Sequence, residues 1–133
     1  MVLRLGLLVA LSIAAVGIAY LLQRRRSEPP SSPSYRTIAE VDRSEFVQPD
    51  ARLLVAMFGS TTCNTCPQVW ETISKIDKTD VARERIDVQT DPERHKRYRI
   101  DGVPTTIVAN RDGTVRKTMF GPITRADLDA LLK

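Results

Sequence analysis

Ser27 to Tyr35, "SEPPSSPSY", places three prolines and four serines in nine residues, and it limits the fold of this 133-residue chain more than any other stretch. Proline fixes φ and lacks a backbone N–H, so no helix entering the stretch continues through it, and the segment is expected to act as a semi-rigid tether. Before it lies Leu5 to Leu22, an uncharged run of 18 residues. As a helix at ~1.5 Å per residue this run reaches ~27 Å, close to the thickness of a bilayer's hydrocarbon core. After the tether some 98 residues remain, enough for one small domain around one core and too few for two. Three segments are therefore expected: an N-terminal transmembrane anchor with a basic flank over 1–26, the tether over 27–35, and a folded domain over 36–133.

The net charge of +4 is unevenly placed. Arg4, Arg24, Arg25 and Arg26 supply four of the 20 basic residues, and from Arg36 onward 16 basic residues face 15 acidic ones. The domain is nearly neutral, which argues against nucleic acid as a partner, and the basic cluster sits where a membrane anchor meets anionic head groups. Arg24, Arg25 and Arg26, with Arg36 close behind, outweigh Arg4 and the terminal amine, so the domain is expected to face the cytoplasm from a single-pass anchor in the cell membrane. The competing expectation is export, because Gly17-Ile18-Ala19 before Tyr20 has the form of a small-residue cleavage site.

Within the domain, Arg52 to Phe58 is a short apolar run of the kind expected for a strand buried on both faces. It leads into "GSTTCNTCP", which holds both cysteines of the chain, Cys63 and Cys66. Cys66, Val69, Trp70, Ile73 and Ile76 then recur at three- and four-residue steps and predict one apolar stripe on a helix ending near Asp77 or Lys78. Arg85 to Val88 is expected to be a second strand, Asp91 to Arg99 a short polar helix with Pro92 in its first turn, and Pro104 to Ala109 a third strand. The turn signal "NRDG" joins that strand to Thr114–Phe120 as an antiparallel hairpin, and Thr124 with Asp127 three residues on opens a terminal helix through Leu132. His95 and the basic residues Arg94, Lys96, Arg97 and Arg99 are expected on a solvated helix face, and Trp70 in the core. By itself the cysteine pair is open to three uses: a redox couple, part of a metal site, or a staple. Structural zinc takes four ligands where this chain offers two cysteines and one distant histidine, whereas two soft thiolates suit copper(I).

The order strand, helix, strand, helix, hairpin, helix, with a CxxC at the first strand-to-helix turn and "GVPTT" some 36 residues later, resembles the thioredoxin superfamily over about Thr37 to Lys133. The resemblance implies an α/β fold with a central mixed sheet flanked by helices, and a thiol–disulfide oxidoreductase that uses no cofactor. Its partners would be protein thiol or disulfide substrates and an unidentified redox donor, and it would work as a monomer. Two alternatives stay beside it: a copper(I)-binding module, and an interaction module without turnover. Cys63 is then the nucleophile, favoured as thiolate by amides at the helix tip, and Cys66 the shielded resolving thiol. Pro104 is expected to have a cis peptide bond and to face the disulfide, and the Val103 backbone to pair with an extended substrate, with Thr62, Asn64 and Thr65 completing the substrate-binding surface. Many thioredoxins have tryptophan where this chain has Thr62, and glycine-proline where it has Asn64-Thr65. Those that reduce targets usually carry a buried acid six residues before the first cysteine, where this chain has Met57. Pro67, directly after the second cysteine, is compatible with a helix only if the helix begins near Thr62 to Asn64.

Overall fold

Strand β1, Leu53–Gly59, is buried at every residue. Side chains alternate across a strand, so β1 feeds both faces of its sheet at once. Leu53, Val55 and Met57 enter one apolar cluster, and Leu54, Ala56 and Phe58 enter another. The computed structural model that shows this describes residues 6, 11–20 and 35–133. The chain divides between Ser34 and Tyr35 into two units. In the first, residues 11–20 are helical. Among the described residues no helix is long and apolar enough to cross a membrane. Apart from Gly6, the remainder of the span expected over 5–22, and the tether up to Ser34, lie outside the described residues.

In the second unit, β1 is followed by helix α1 (Cys66–Ser74), strand β2 (Val81–Asp87), helix α2 (Pro92–Arg97), strands β3 (Thr105–Asn110) and β4 (Val115–Phe120), and helix α3 (Arg125–Leu131). The sheet order is β2-β1-β3-β4, with β1 parallel to β2 and antiparallel to β3, and β3 antiparallel to β4. This is the mixed central sheet expected. Val69, Ile73 and Ile76 from α1 and its C-terminal extension join Leu128 and Leu132 over one face. Val41, Phe46 and Ile86 cover the other, with Tyr98 packed against them. Helix α3 starts with a reciprocal cap, in which the Thr124 hydroxyl accepts from the Asp127 N–H and the Asp127 carboxylate accepts from the Thr124 N–H. The Thr124 N–H and hydroxyl both donate to this carboxylate, which favours its charged form and holds the Asp127 carboxyl below its usual range.

Three expectations need correction. Strand β2 begins at Val81, before the expected Arg85, because "VARERID" is an edge strand whose polar residues are partly exposed while Val81, Ala82 and Ile86 are buried. Helix α1 begins at Cys66, later than expected, with Thr65 as its N-cap. Pro67 therefore falls in the first turn, where its missing N–H had no partner within the helix to lose. His95 is not on a solvated face: it is 6% exposed, and its Nε2 donates to the Ile86 carbonyl at 2.9 Å. Its ring stands edge-on to Phe58 at 5.3 Å, so the imidazole serves as a core side chain whose Nε2 is bonded to the strand below. Arg94 is likewise turned inward, donating to Glu84 and Asp91 with its guanidinium 5.3 Å from the centre of the Phe46 ring. Lys96, Arg97 and Arg99 are exposed as expected, and Trp70 is half-buried against the first cluster.

Gly113 closes the β3–β4 hairpin at φ +93°, where an added Cβ would lie 2.1 Å from the Val41 carbonyl oxygen. Gly113→Ala is expected to destabilise the domain by about 1–3 kcal/mol, through the left-handed backbone and the displaced Val41 backbone. Urea unfolding of the two chains measures this, and equal midpoints would contradict the close approach.

Candidate active site

The end of β1 sets the position of the cysteines. Gly59 accepts from the Val88 N–H at 3.0 Å, which ties the exit of β1 to the exit of β2. The chain then turns through Ser60, a nearly buried serine whose hydroxyl accepts from Gln89 Nε2 at 2.7 Å and from the Thr62 N–H at 3.2 Å. Gln89 Oε1 in turn accepts from the Thr61 N–H at 3.0 Å, so one side chain from the neighbouring loop holds two successive residues at the start of the turn. The Cys63 N–H donates to the Ser60 carbonyl at 3.2 Å. The loop is exposed, yet its course is determined by these bonds.

Cys63 and Cys66 are joined in a disulfide with their Cα atoms 5.4 Å apart. Their surroundings differ sharply. Cys66 has no exposed surface and belongs to the core cluster with Met57, Val69 and Ile73, whereas Cys63 is half-buried at the edge of that cluster. The Cys66 N–H, at the start of α1, points at Cys63 Sγ at 3.2 Å, and the Thr65 hydroxyl lies 3.6 Å from the same sulfur. A donor at the positive end of a helix favours negative charge on that sulfur. The amide that does this belongs to Cys66 itself, so the two cysteines are coupled through the backbone as well as through the disulfide. Thr62, Asn64 and Thr65 are exposed around them.

The Val103–Pro104 peptide bond is cis. Register puts it at the same end of the sheet as the cysteines: Phe58 pairs with Thr105 across β1 and β3, so Gly59 and Pro104 leave the sheet at one level. Pro104 is buried, and Val103 is 39% exposed. Both line a small cleft with Tyr35, Gly102, Phe120 and Gly121. Tyr35 stacks on Phe120 at 5.1 Å, and its ring lies so close to Gly102 that a Cβ there would come within 2.8 Å.

Three residues not singled out from the sequence contribute to this site. Gln89 and Ser60 fix the turn, and no sequence pattern marks a hydrogen bond between loops 29 residues apart. The third is Asp87, the last residue of β2. A Cβ placed on Gly59 would lie 3.2 Å from Asp87 Oδ1, 3.3 Å from Cys66 Sγ and 3.1 Å from Met57 Cε, so all three side chains converge on the space that glycine leaves empty.

Residues 40–133 match the family model described as a thioredoxin-like domain, and the chain belongs to that family. No curated protein matches the chain by sequence. Among solved structures it is similar to a point mutant of thioredoxin from Halobacterium salinarum, with a TM-score of 0.59 and 23% identity over 77% of this chain and 92% of that one. It is also similar to Fasciola hepatica thioredoxin (TM-score 0.55, 21% identity, 63% and 81% covered). The germline-specific thioredoxin Deadhead of Drosophila melanogaster is a further match (TM-score 0.54, 21% identity, 63% and 81% covered). At these identities the likeness is one of fold.

The difference in exposure between the cysteines has a direct consequence. After reduction, Cys63 is expected to react with iodoacetamide at least tenfold faster than Cys66, since alkylation needs an accessible thiolate. Peptide mapping after brief labelling measures the ratio, and equal labelling would contradict the burial of Cys66.

Proposed function

We propose that this protein is a membrane-tethered thiol–disulfide oxidoreductase that exchanges the Cys63–Cys66 dithiol or disulfide with protein partners. One observation carries the reading: a half-buried Cys63, its sulfur facing the first amide of α1, is bonded to a Cys66 with no exposed surface. That asymmetry separates an attacking sulfur from a resolving one. In the reducing direction the Cys63 thiolate attacks a partner disulfide, forms a mixed disulfide and expels one partner sulfur as thiolate. The Cys66 sulfur then attacks Cys63 Sγ, re-forms the Cys63–Cys66 bond and expels the second partner sulfur. The partner gains two electrons and the protein loses two, to be restored by a thiol donor. Oxidation of a partner dithiol is the same path reversed. The backbone of Val103, a 39% exposed residue in the cleft just before β3, is the proposed pairing edge for an extended partner segment, with Thr62, Asn64 and Thr65 proposed to complete the binding surface.

The tether is part of the proposal. Leu11, Ile13, Val16, Ile18 and Tyr20 are each more than half exposed on the helical stretch, the surface that lipid would cover. Residues 5–22 are the proposed span, and the arginines at 24–26 support a cytoplasmic domain. There the glutathione poise of roughly −220 to −320 mV favours reduction of partners over disulfide insertion.

Cys66→Ser is expected to accumulate mixed disulfides through Cys63, because the resolving step is lost. Non-reducing electrophoresis of cell extracts detects them, and better trapping by Cys63→Ser would reverse the two roles. For orientation, C-terminal fusions to one reporter active only inside the cell and another active only outside should report inside alone; activity outside alone would place the domain on the other face.

A further inference from the structure

The resolving step needs more than a sulfur in the right place. Cys66 must lose a proton in a site with no exposed surface, lined by Met57, Val69 and Ile73, where water cannot readily take it. Position 57, six residues before Cys63, carries a thioether that cannot accept a proton. The carboxylate that does reach this sulfur comes from the neighbouring strand. Asp87 Oδ1 and Cys66 Sγ each lie just over 3 Å from the same point above Gly59, at 3.2 and 3.3 Å, so they are no further apart than those two distances laid end to end. The two groups face one shared space, in which a proton passes directly if they close to hydrogen-bond distance and through a single water otherwise. Gly59 keeps this space open, since a β-carbon there would crowd both groups.

We propose that Asp87 is the proton acceptor for Cys66 in the resolving half of the exchange, in place of an acid at position 57; the proposal rests on the oxidoreductase reading. The charged groups around it are few. Arg85, on the same strand, donates from Nε to both Asp87 oxygens at 3.0 Å, which fixes the direction of Oδ1 and offsets its charge when a thiolate forms nearby. The first turn of α1 contains no acidic residue, and Met57 and Gly59 of β1 bring no charge. His95 is occupied on the opposite face, bonded to the Ile86 carbonyl. In the step itself, the Cys66 S–H proton passes to the Asp87 carboxylate and the Cys66 sulfur attacks Cys63 Sγ. The bond from Cys63 to the partner breaks, and the partner leaves as a thiolate that takes the proton back from Asp87, directly or by exchange through solvent. One disulfide is formed and one is broken, with no net change in protons.

The test uses the reduced full chain in detergent micelles and an aromatic disulfide, 5,5′-dithiobis(2-nitrobenzoate), followed by stopped-flow absorbance. Cys63 releases the first thionitrobenzoate and Cys66, by resolving the mixed disulfide, the second. Asp87→Asn is expected to slow the second release by about tenfold or more and leave the first within twofold, and Asp87→Glu to recover most of the loss. An unchanged second phase in Asp87→Asn would overturn the proposal while leaving the oxidoreductase reading intact. Equal slowing of both phases, or no recovery in Asp87→Glu, would also overturn it, assigning Asp87 a structural role through Arg85. Release of a single equivalent by the unaltered chain would sink both readings, because Cys66 would then not resolve at all.

Discussion

Complete burial of β1 is the constraint on which the rest of the domain depends. A strand with apolar side chains on both faces needs a layer on each side, and each large side chain removed from water contributes about 1.5–3 kcal/mol of transfer free energy. Leu53, Val55 and Met57 draw α1 and α3 onto one face, while Leu54, Ala56 and Phe58 draw the Val41–Phe46 segment and α2 onto the other. With both edges of β1 paired, to β2 and β3, the strand has only its end to offer to chemistry. That end is Gly59, and everything the candidate site contains is arranged around it.

The site follows from this geometry with few additional elements. The chain must leave β1, turn and enter α1, and α1 must bury its Cys66 stripe against the cluster that β1 began. Cys66 is thereby drawn inside, and Cys63, one turn earlier, is left at the margin. The turn between strand and helix is short of regular structure, so its backbone donors are satisfied by Ser60 and Gln89. Because the first amide of α1 faces Cys63 Sγ, the helix that shields one sulfur also supplies the electrostatics for the other.

How much of this was legible in the sequence depended on whether a signal was local. The apolar run at β1, the 3.6-residue stripe of α1, the "NRDG" hairpin and the Thr124–Asp127 cap are short-range patterns, and the structure places each within a few residues of expectation. The early start of β2 escaped because "VARERID" sits at a sheet edge, where polar side chains are tolerated and apolar alternation fades. His95 and Arg94 escaped for a related reason: in a six-residue helix of polar residues, only the tertiary contacts with Phe58, Ile86 and Phe46 decide which side chain turns inward. The cysteines and "GVPTT" stand out as motifs, whereas Gln89 and Asp87 reach the site from β2 and its following loop. A partner brought in from another strand leaves no spacing to recognise.

The central claim is that Cys63 and Cys66 form a working couple and not a permanent staple. A redox titration tests this most directly: the full chain is equilibrated in thiol–disulfide buffers of graded potential, and the fraction of free Cys63 is counted by thiol labelling. The account predicts one reversible two-electron transition, with the ratio of dithiol to disulfide changing tenfold for each step of about 30 mV, approached identically from the oxidised and the reduced side. A disulfide that stays closed across the whole range, or thiols that never close, would contradict it.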